Sequence, residues 1–574
     1  MSSDGSYTFS ASNKLKWSSL GKIAMLISVF SFICPSDCIS LSVGLIDCLC
    51  CCMIMPNNSR LDLLSIMAIS ISHISIIQAV KIFRIFHSWT AFTFLSTCGL
   101  LIAICIAHVA PRWNFSLLFL ALMHLVSLIV LGSQSNHVLV AIAVDTTIIA
   151  NYSSNRQRWC NQCSANSFLL LIVLYSVTAF HKLNGDFFDA EVSCASLFVS
   201  GLFSMFFPIP TNQPTDIIAN IIQSAPYHGA SLEILLPLML VLSQITSKTL
   251  SSILMKVVFI FGTIFHLSVC LPLPPMSVYP FSMVMVPMYL LLLPVESEVL
   301  FNKMLKNWQL LLAITAGTAL FLSISVNYVL DGQPLPLEYP NYGLWPAAIL
   351  WNVLVWGALL SVSVLSPRLP PPNLKGNITV PSVVLLVLFT VLGLSPYLGI
   401  RNYPALAMFS NLRTSSEGFK SNHFFVPEDS SVGRIGNNNE LFITIHRTDL
   451  PAFKYGQINL ANYFLPHTVK FNEAYGVRNE FWINPPEWTA VDGDVERPFV
   501  EYSIPFIEFK RRIAKALLRD EPFELEISWN NDPTSRHFIN GTDRSLARES
   551  PLTQLEAFLF RFRSFDASYS PCRH

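Results

Sequence analysis

The sequence predicts an all-α polytopic transmembrane helical bundle with a C-terminal soluble α+β domain, and three observations predict it. Charge is scarce: 52% of the 574 residues are hydrophobic and 13% charged, against roughly 25% charged in an ordinary soluble domain. Long, almost uncharged runs recur at 18–35, 61–80, 89–110, 114–132, 167–181, 231–246, 253–271, 276–295, 308–327, 344–364 and 378–398. A bilayer core about 30 Å thick takes about 20 such residues per helical crossing. The pattern stops after Leu398, where the chain turns rich in Asn, Glu, Arg, Phe and Tyr and has no further run of that length.

Residues 1–17 form a polar N-terminal segment. Lys14, Lys16 and Lys22 flank the start of the first run, and positive charge beside a span favours the cytoplasmic side. No small-residue cleavage site follows, so 18–35 reads as a retained helix and not as a removed signal peptide. The bundle takes 18–398. Its runs are continuous and rich in Leu, Ile, Ala and Met, unlike the alternating strands of about 10 residues that build membrane barrels. Two weaker runs, 39–55 and 137–150, are short or interrupted by Asp47 and Asp145, so the segments number nine to thirteen. Cys48, Cys50, Cys51 and Cys52 cluster near a membrane edge, as small apolar filler or as sites of palmitoylation or disulfide formation.

Residues 399–574 form one extramembrane domain, with strands expected at Leu441–His446 and Phe523–Trp529 and a helix at Ile507–Leu518. The helix carries a basic stripe of Lys510, Arg511, Arg512 and Lys515, a solvated face or one that touches lipid headgroups. Sequons at Asn57, Asn114, Asn151, Asn377 and Asn540 are weak acceptor signals that need a lumen. Formal net charge is zero, which gives nucleic acid no electrostatic basis for binding. The partner implied is the lipid bilayer: endoplasmic reticulum or another endomembrane in a eukaryote, the inner membrane in a bacterium.

Ionisable groups inside apolar runs are costly and therefore functional candidates. His73, His124 and His266 sit in such runs. His266 follows Lys256 by 10 residues, roughly 15 Å of helix and so near mid-depth. Each histidine reads as a hydrogen-bonded packing group or as a functional one. Lys182 closes the run SFLLLIVLYSVTAFH. It either snorkels to the interface at a helix C-terminus or sits in a poorly hydrated pocket as a neutral amine able to take a proton. Asn136 and His137 open another run, as a helix cap with an interfacial histidine or as part of a site. Cys160 and Cys163, in WCNQC, have the spacing of a local disulfide, a redox dithiol or half a zinc site, and no second cysteine pair completes the zinc set.

Four islands carry a family resemblance: YSVTAFHKLNGDFFD (Tyr175–Asp189), SNHVLV (Ser135–Val140), FIFGTIFHLSVCLPLPPMSVYPFS (Phe259–Ser282) and AMFSNLRTSSEGFKSNHFFVP (Ala407–Pro427). By their order along the chain and their spacing relative to the apolar runs, across about residues 60–430, they resemble the vitamin K-dependent gamma-carboxylase-like membrane proteins, also called the HTTM domain family. The resemblance implies a lyase-type membrane enzyme. In the carboxylase a lysine deprotonates reduced vitamin K, oxygen adds, and the basic quinone oxide species so formed removes a γ-hydrogen from glutamate before CO2 is captured. Lys182 falls on that lysine, which makes it the base. The Asn–His pair of the family places His137 as hydrogen-bonding or charge-stabilising partner, and the later Phe–His island places His266 as a pocket-lining group. The cofactor implied is vitamin K hydroquinone or another lipophilic quinol.

Two departures limit what carries over. The polar domain is much smaller than the one with which the carboxylase grips its protein substrate, and His181 precedes Lys182 where the carboxylase has another residue type. Two other functions fit the same residues. A non-catalytic scaffold or transporter uses intramembrane His and Lys equally well, and a thiol–disulfide redox protein would work through Cys160 and Cys163.

Overall fold

The computed structural model describes positions within 64–75, then 91–109, 113–130, 135–210, 215–294, 297–300 and 341–398; beyond these it describes 401, 405–413, 421–426, 442–450, 453, 458–459, 464–483, 501–518, 524–529, 536–540 and 572–573. The expected runs at 18–35, 39–55 and 308–327, the cysteine cluster at Cys48–Cys52, and His73 lie outside the described residues.

The helices are α1 (Ala91–Val109), α2 (Asn114–Val130), α3 (Asn136–Ala150), α4 (Arg156–His181), α5 (Gly185–Phe188), α6 (Cys194–Phe203), α7 (Asp216–Ile245), α8 (Lys248–Cys270), α9 (Tyr279–Leu290), α10 (Asn341–Leu365) and α11 (Val380–Leu394). α4, α7, α8 and the Ala348–Leu365 part of α10 are long and apolar enough to cross a membrane; α2, α3 and α11 are shorter, at 17, 15 and 15 residues.

Two helices start well before their apolar runs. α4 begins at Arg156 because the Asn155 side chain caps it by accepting from the Arg158 amide, and its polar Gln162 and Asn166 turn inward. Asn166 donates to the Thr147 hydroxyl of α3. α7 contains Pro226 and Pro237. A helical proline removes the hydrogen bond to the carbonyl four residues earlier, and the carbonyl freed by Pro226, that of Ile222, accepts from the Ser196 hydroxyl of α6 at 3.0 Å. The freed carbonyl is thereby satisfied inside the protein.

Polarity is arranged inside-out. Outer faces of the helices expose Ile102, Phe115, Ile129, Ile217, Leu238 and Ile245, and α11 alone exposes Val383, Val384, Val387, Leu388 and Val391. The interior holds Asp145, Asn166, Lys182, Glu233 and His266, all buried. Asp145, the residue that weakened the run 137–150, lies 2.8 Å from His124 of α2, so α3 forms with its carboxylate paired.

The C-terminal part adds β1 (Phe442–Thr448), β2 (Ile458–Asn459), α12 (Pro466–Ala474), β3 (Phe481–Ile483), β4 (Tyr502–Pro505), α13 (Phe506–Leu518), β5 (Glu524–Trp529), β6 (His537–Asn540) and β7 (Cys572–Arg573). The two strands and the helix expected there correspond to β1, β5 and α13. One sheet runs β4-β1-β5-β6, all antiparallel, with Ile443 opposite both Ile504 and Trp529. Its inward Ile443, Ile445, Ile504, Leu525 and Ile527 pack with Phe509 and Ile513 of α13. The second sheet, β2-β3-β7, joins β7 in parallel to β3. This part is tied to the helices: Cys194 at the start of α6 forms a disulfide with Cys572, and Ser200 and Ser204 of α6 hydrogen-bond Asn472 and Thr468 of α12.

Candidate functional site

Lys182 follows the last turn of α4, and its whole residue is buried. Its Nζ lies 2.9 Å from Glu233 Oε2 of α7, donates to the Met408 carbonyl at 3.1 Å and sits 5.7 Å from the centre of the Phe187 ring. The expected snorkelling lysine is thus turned inward. Tyr175, Thr178 and Lys182 stand on one face of α4, at the spacing of three and then four residues that stacks helical side chains. Together with Glu233, Leu174, Phe265, Val269, Phe281, Met408 and Phe409 they line a cavity of about 20 Å³, room for about one water.

The deep wall is a hydrogen-bonded aromatic cluster. Tyr175 Oη lies 2.9 Å from His266 Nε2 and 2.9 Å from Tyr289 Oη. The His266 ring stacks on Trp356 of α10 at 4.6 Å with planes 16° apart. His266 Nδ1 and Trp356 Nε1 are buried without a hydrogen-bond partner among the described residues. Gly262, one turn before His266, makes the approach possible, since a Cβ there would collide with the Tyr289 ring.

The opposite wall is the loop 405–413, which returns into the helices after α11. Leu406, Phe409 and Asn411 have φ of 58°, 50° and 51°, a left-handed region that costs non-glycine residues about 1–3 kcal/mol each and persists only where surroundings dictate it. Three buried asparagines dictate it. Asn136 Oδ1 accepts from the Ala405 and Leu406 amides, Asn184 donates to the Ser410 carbonyl, and Asn411 accepts from the Cys194 amide while donating to the Val192 carbonyl. Beside the loop, Gly185 donates to Asn422 and Phe424 donates to Leu183. His423 Nε2 lies 2.8 Å from the Phe180 carbonyl, and His423 Nδ1 accepts from the Phe425 amide. Its ring is therefore neutral, and burial holds its pKa below the ordinary 6.5 although the bond to Phe180 acts the other way.

Of the three residues singled out from the sequence, only Lys182 lines this cavity; His266 stands behind it, hydrogen-bonded to the lining residue Tyr175. His137 does not line it: half-buried on α3, its Nε2 lies 3.0 Å from the Ser135 hydroxyl. Its neighbour Asn136 is no helix cap, because Ser135 occupies that position and the Asn136 side chain holds the loop. His181 turns toward α11, with Nε2 2.8 Å from the Gly393 carbonyl. Of the readings open for Cys160 and Cys163, the local disulfide is not formed: both stand on α4 outside any disulfide, with Cys163 Sγ near the Thr147 carbonyl, and the bond among the described residues is Cys194–Cys572. Three residues apart on one helix, Cys163 is buried and Cys160 half-buried. Glu233 was legible: a lone carboxylate in the run 231–246 meets the same rule that picked out the histidines.

Among the described residues no group of three or more His, Cys, Asp or Glu side chains is arranged to hold a metal ion. Compared with protein-family models, with curated proteins and with solved structures, the chain matches none.

Proposed function

We propose that this chain is a multi-pass integral membrane enzyme, similar to the gamma-carboxylase-like (HTTM) proteins, in which Lys182 takes a proton from a lipophilic acid. The observation that carries this is the buried Lys182–Glu233 pair at a small cavity among apolar helices. Buried ion pairs are seldom more stable than well-packed apolar residues, so ionisable groups kept at such depth point to use. The outward apolar faces of α7, α8 and α11 support lipid as their surroundings.

In the chemistry proposed, proton transfer from Lys182 to Glu233 leaves a neutral amine, the form that can act as a base. The amine then takes the proton of the substrate, and the ammonium so formed balances the substrate anion. The Tyr175 hydroxyl is held by His266 and Tyr289, which fixes the ring that lines the cavity beside Lys182. The aromatic lining suits a ring-bearing acid such as vitamin K hydroquinone. The cavity of about 20 Å³ holds about one water and is too small for a bicyclic ring.

The test gives detergent-solubilised protein vitamin K hydroquinone with oxygen. Epoxide is expected from the wild type and at least about 100-fold less from Lys182→Ala, the size of a typical base contribution. Absence of epoxide from the wild type removes the quinol-linked form of the proposal, and equal epoxide from Lys182→Ala removes the lysine.

A further inference from the structure

Hydrogen bonds between helix ends sort the chain into two opposite rims. At one rim Asn114 donates to Ser154, Thr379 donates to Asn151, Gln244 donates to Pro372, and the Leu369 amide donates to Ser252. These contacts gather the starts of α2, α4, α8 and α11 with the ends of α3, α7 and α10. At the other rim Asn136 meets Ala405, Lys182 meets Met408, His181 meets Gly393, Cys194 meets Asn411, and Trp345 donates to Pro272.

Basic residues divide between the rims unequally. Among the described residues the first carries Arg156, Arg158, Lys248, Arg368 and Lys375 against the acid Glu298. The loops of the second carry Asp186, Asp189, Glu191 and Asp216 against three basic residues, of which Lys182 is drawn into the pair with Glu233, Arg401 is buried and Arg413 is half-buried in the loop 405–413. Lys and Arg in short loops mark the cytoplasmic side. Independently, the Cys194–Cys572 disulfide lies at the second rim, and disulfides persist in oxidising compartments. Charge and thiol chemistry give the same orientation.

We propose that the second rim and the C-terminal domain face an oxidising, glycosylating lumen, and that Asn540 is the N-glycan acceptor among the sequons of the described residues. Asn540 begins the sequon Asn-Gly-Thr and ends β6, the edge strand of its sheet, on the C-terminal domain. Asn114, Asn151 and Asn377 all lie at the basic rim, so orientation alone denies them the transferase. This rests on the membrane-spanning part of the proposed function and not on Lys182 as a base, so either can fail without the other.

The test is translation of the full chain into endoplasmic-reticulum microsomes in an Asn57→Gln background, with glycosidase digestion read as a gel shift. One glycan is expected, lost in Asn540→Gln and kept in Asn114→Gln, Asn151→Gln and Asn377→Gln. A wild-type pattern without a glycan, or a glycan that needs a basic-rim sequon, overturns the acceptor assignment. Orientation is read separately with a membrane-impermeant maleimide on sealed microsomes. Above the wild-type background, Lys375→Cys should label directly and Asn540→Cys only after detergent; the reverse order overturns the orientation.

Discussion

Gly262 shows how finely the deep wall is set. Replacing it with Val would drive Tyr289 off its place, release Tyr175 from one of its two partners and unseat His266. Overpacking of this kind costs about 1–3 kcal/mol. Gly262→Val is therefore expected to lower the melting temperature in detergent and to abolish turnover, whereas Gly357→Ala, in open space on α10, should change neither. His423 gives a second residue-scale expectation. Its folded pKa is depressed, so the stability it lends is present above the ordinary value of 6.5 and lost as pH falls to the lowered one. Acidification through that window should lower the protection factors of the Phe424 and Phe425 amides, corrected for the intrinsic pH dependence of exchange, and His423→Phe should remove that change. Neither position stood out in the sequence. Gly262 differs from other glycines only by the ring that crosses it, and His423 lies far along the chain from the Phe180 carbonyl that fixes its tautomer.

At the scale of elements, α13 is the case where the sequence and the structure part company. Its bounds were readable from the pattern of Phe506, Phe509 and Ile513, but the basic stripe is not one uniform surface. Arg511 and Arg512 both bind Glu508, at 2.7 and 2.8 Å, and Arg512 also lies over the Phe453 ring. Lys510 covers Phe506. Burial alone would raise the Glu508 pKa, yet the two guanidinium groups overcome it and hold the carboxyl below the ordinary 4.5. The contribution of Glu508 to stability is thus present above about 4.5 and lost as pH falls through the lowered value. Glu508→Gln leaves two guanidinium groups without their shared partner and should cost about 3 kcal/mol at neutral pH. Urea titrations at pH 7 and pH 3 check this: the gap between variant and wild type should shrink at the lower pH. Strands β1 and β5 were legible because their apolar residues alternate, while β7 is two residues long and exists by virtue of a parallel neighbour and the Cys194 disulfide. A pairing with a sequence separation of 378 residues leaves no local mark.

Across the whole molecule, what lipid demands was readable and what tertiary closure demands was not. Continuous apolar runs announced α1, α2, α8 and α10, and the compositional break after Leu398 announced the end of the long apolar helices among the described residues. That break hides the return of 405–413 into the helices, because a loop seated by Asn136, Asn184 and Asn411 looks like any polar loop. It hides equally that Lys182 and Glu233, carried by α4 and α7, face each other. The measurement that tests the central claim most directly is turnover of vitamin K hydroquinone by the double variant Lys182→Met with Glu233→Leu. Replacing a buried pair by apolar residues of similar volume is commonly neutral or stabilising by about 1–4 kcal/mol, so this protein should assemble and melt like the wild type or better. It should also form no epoxide. Epoxide at the wild-type rate from a well-folded double variant would contradict the account.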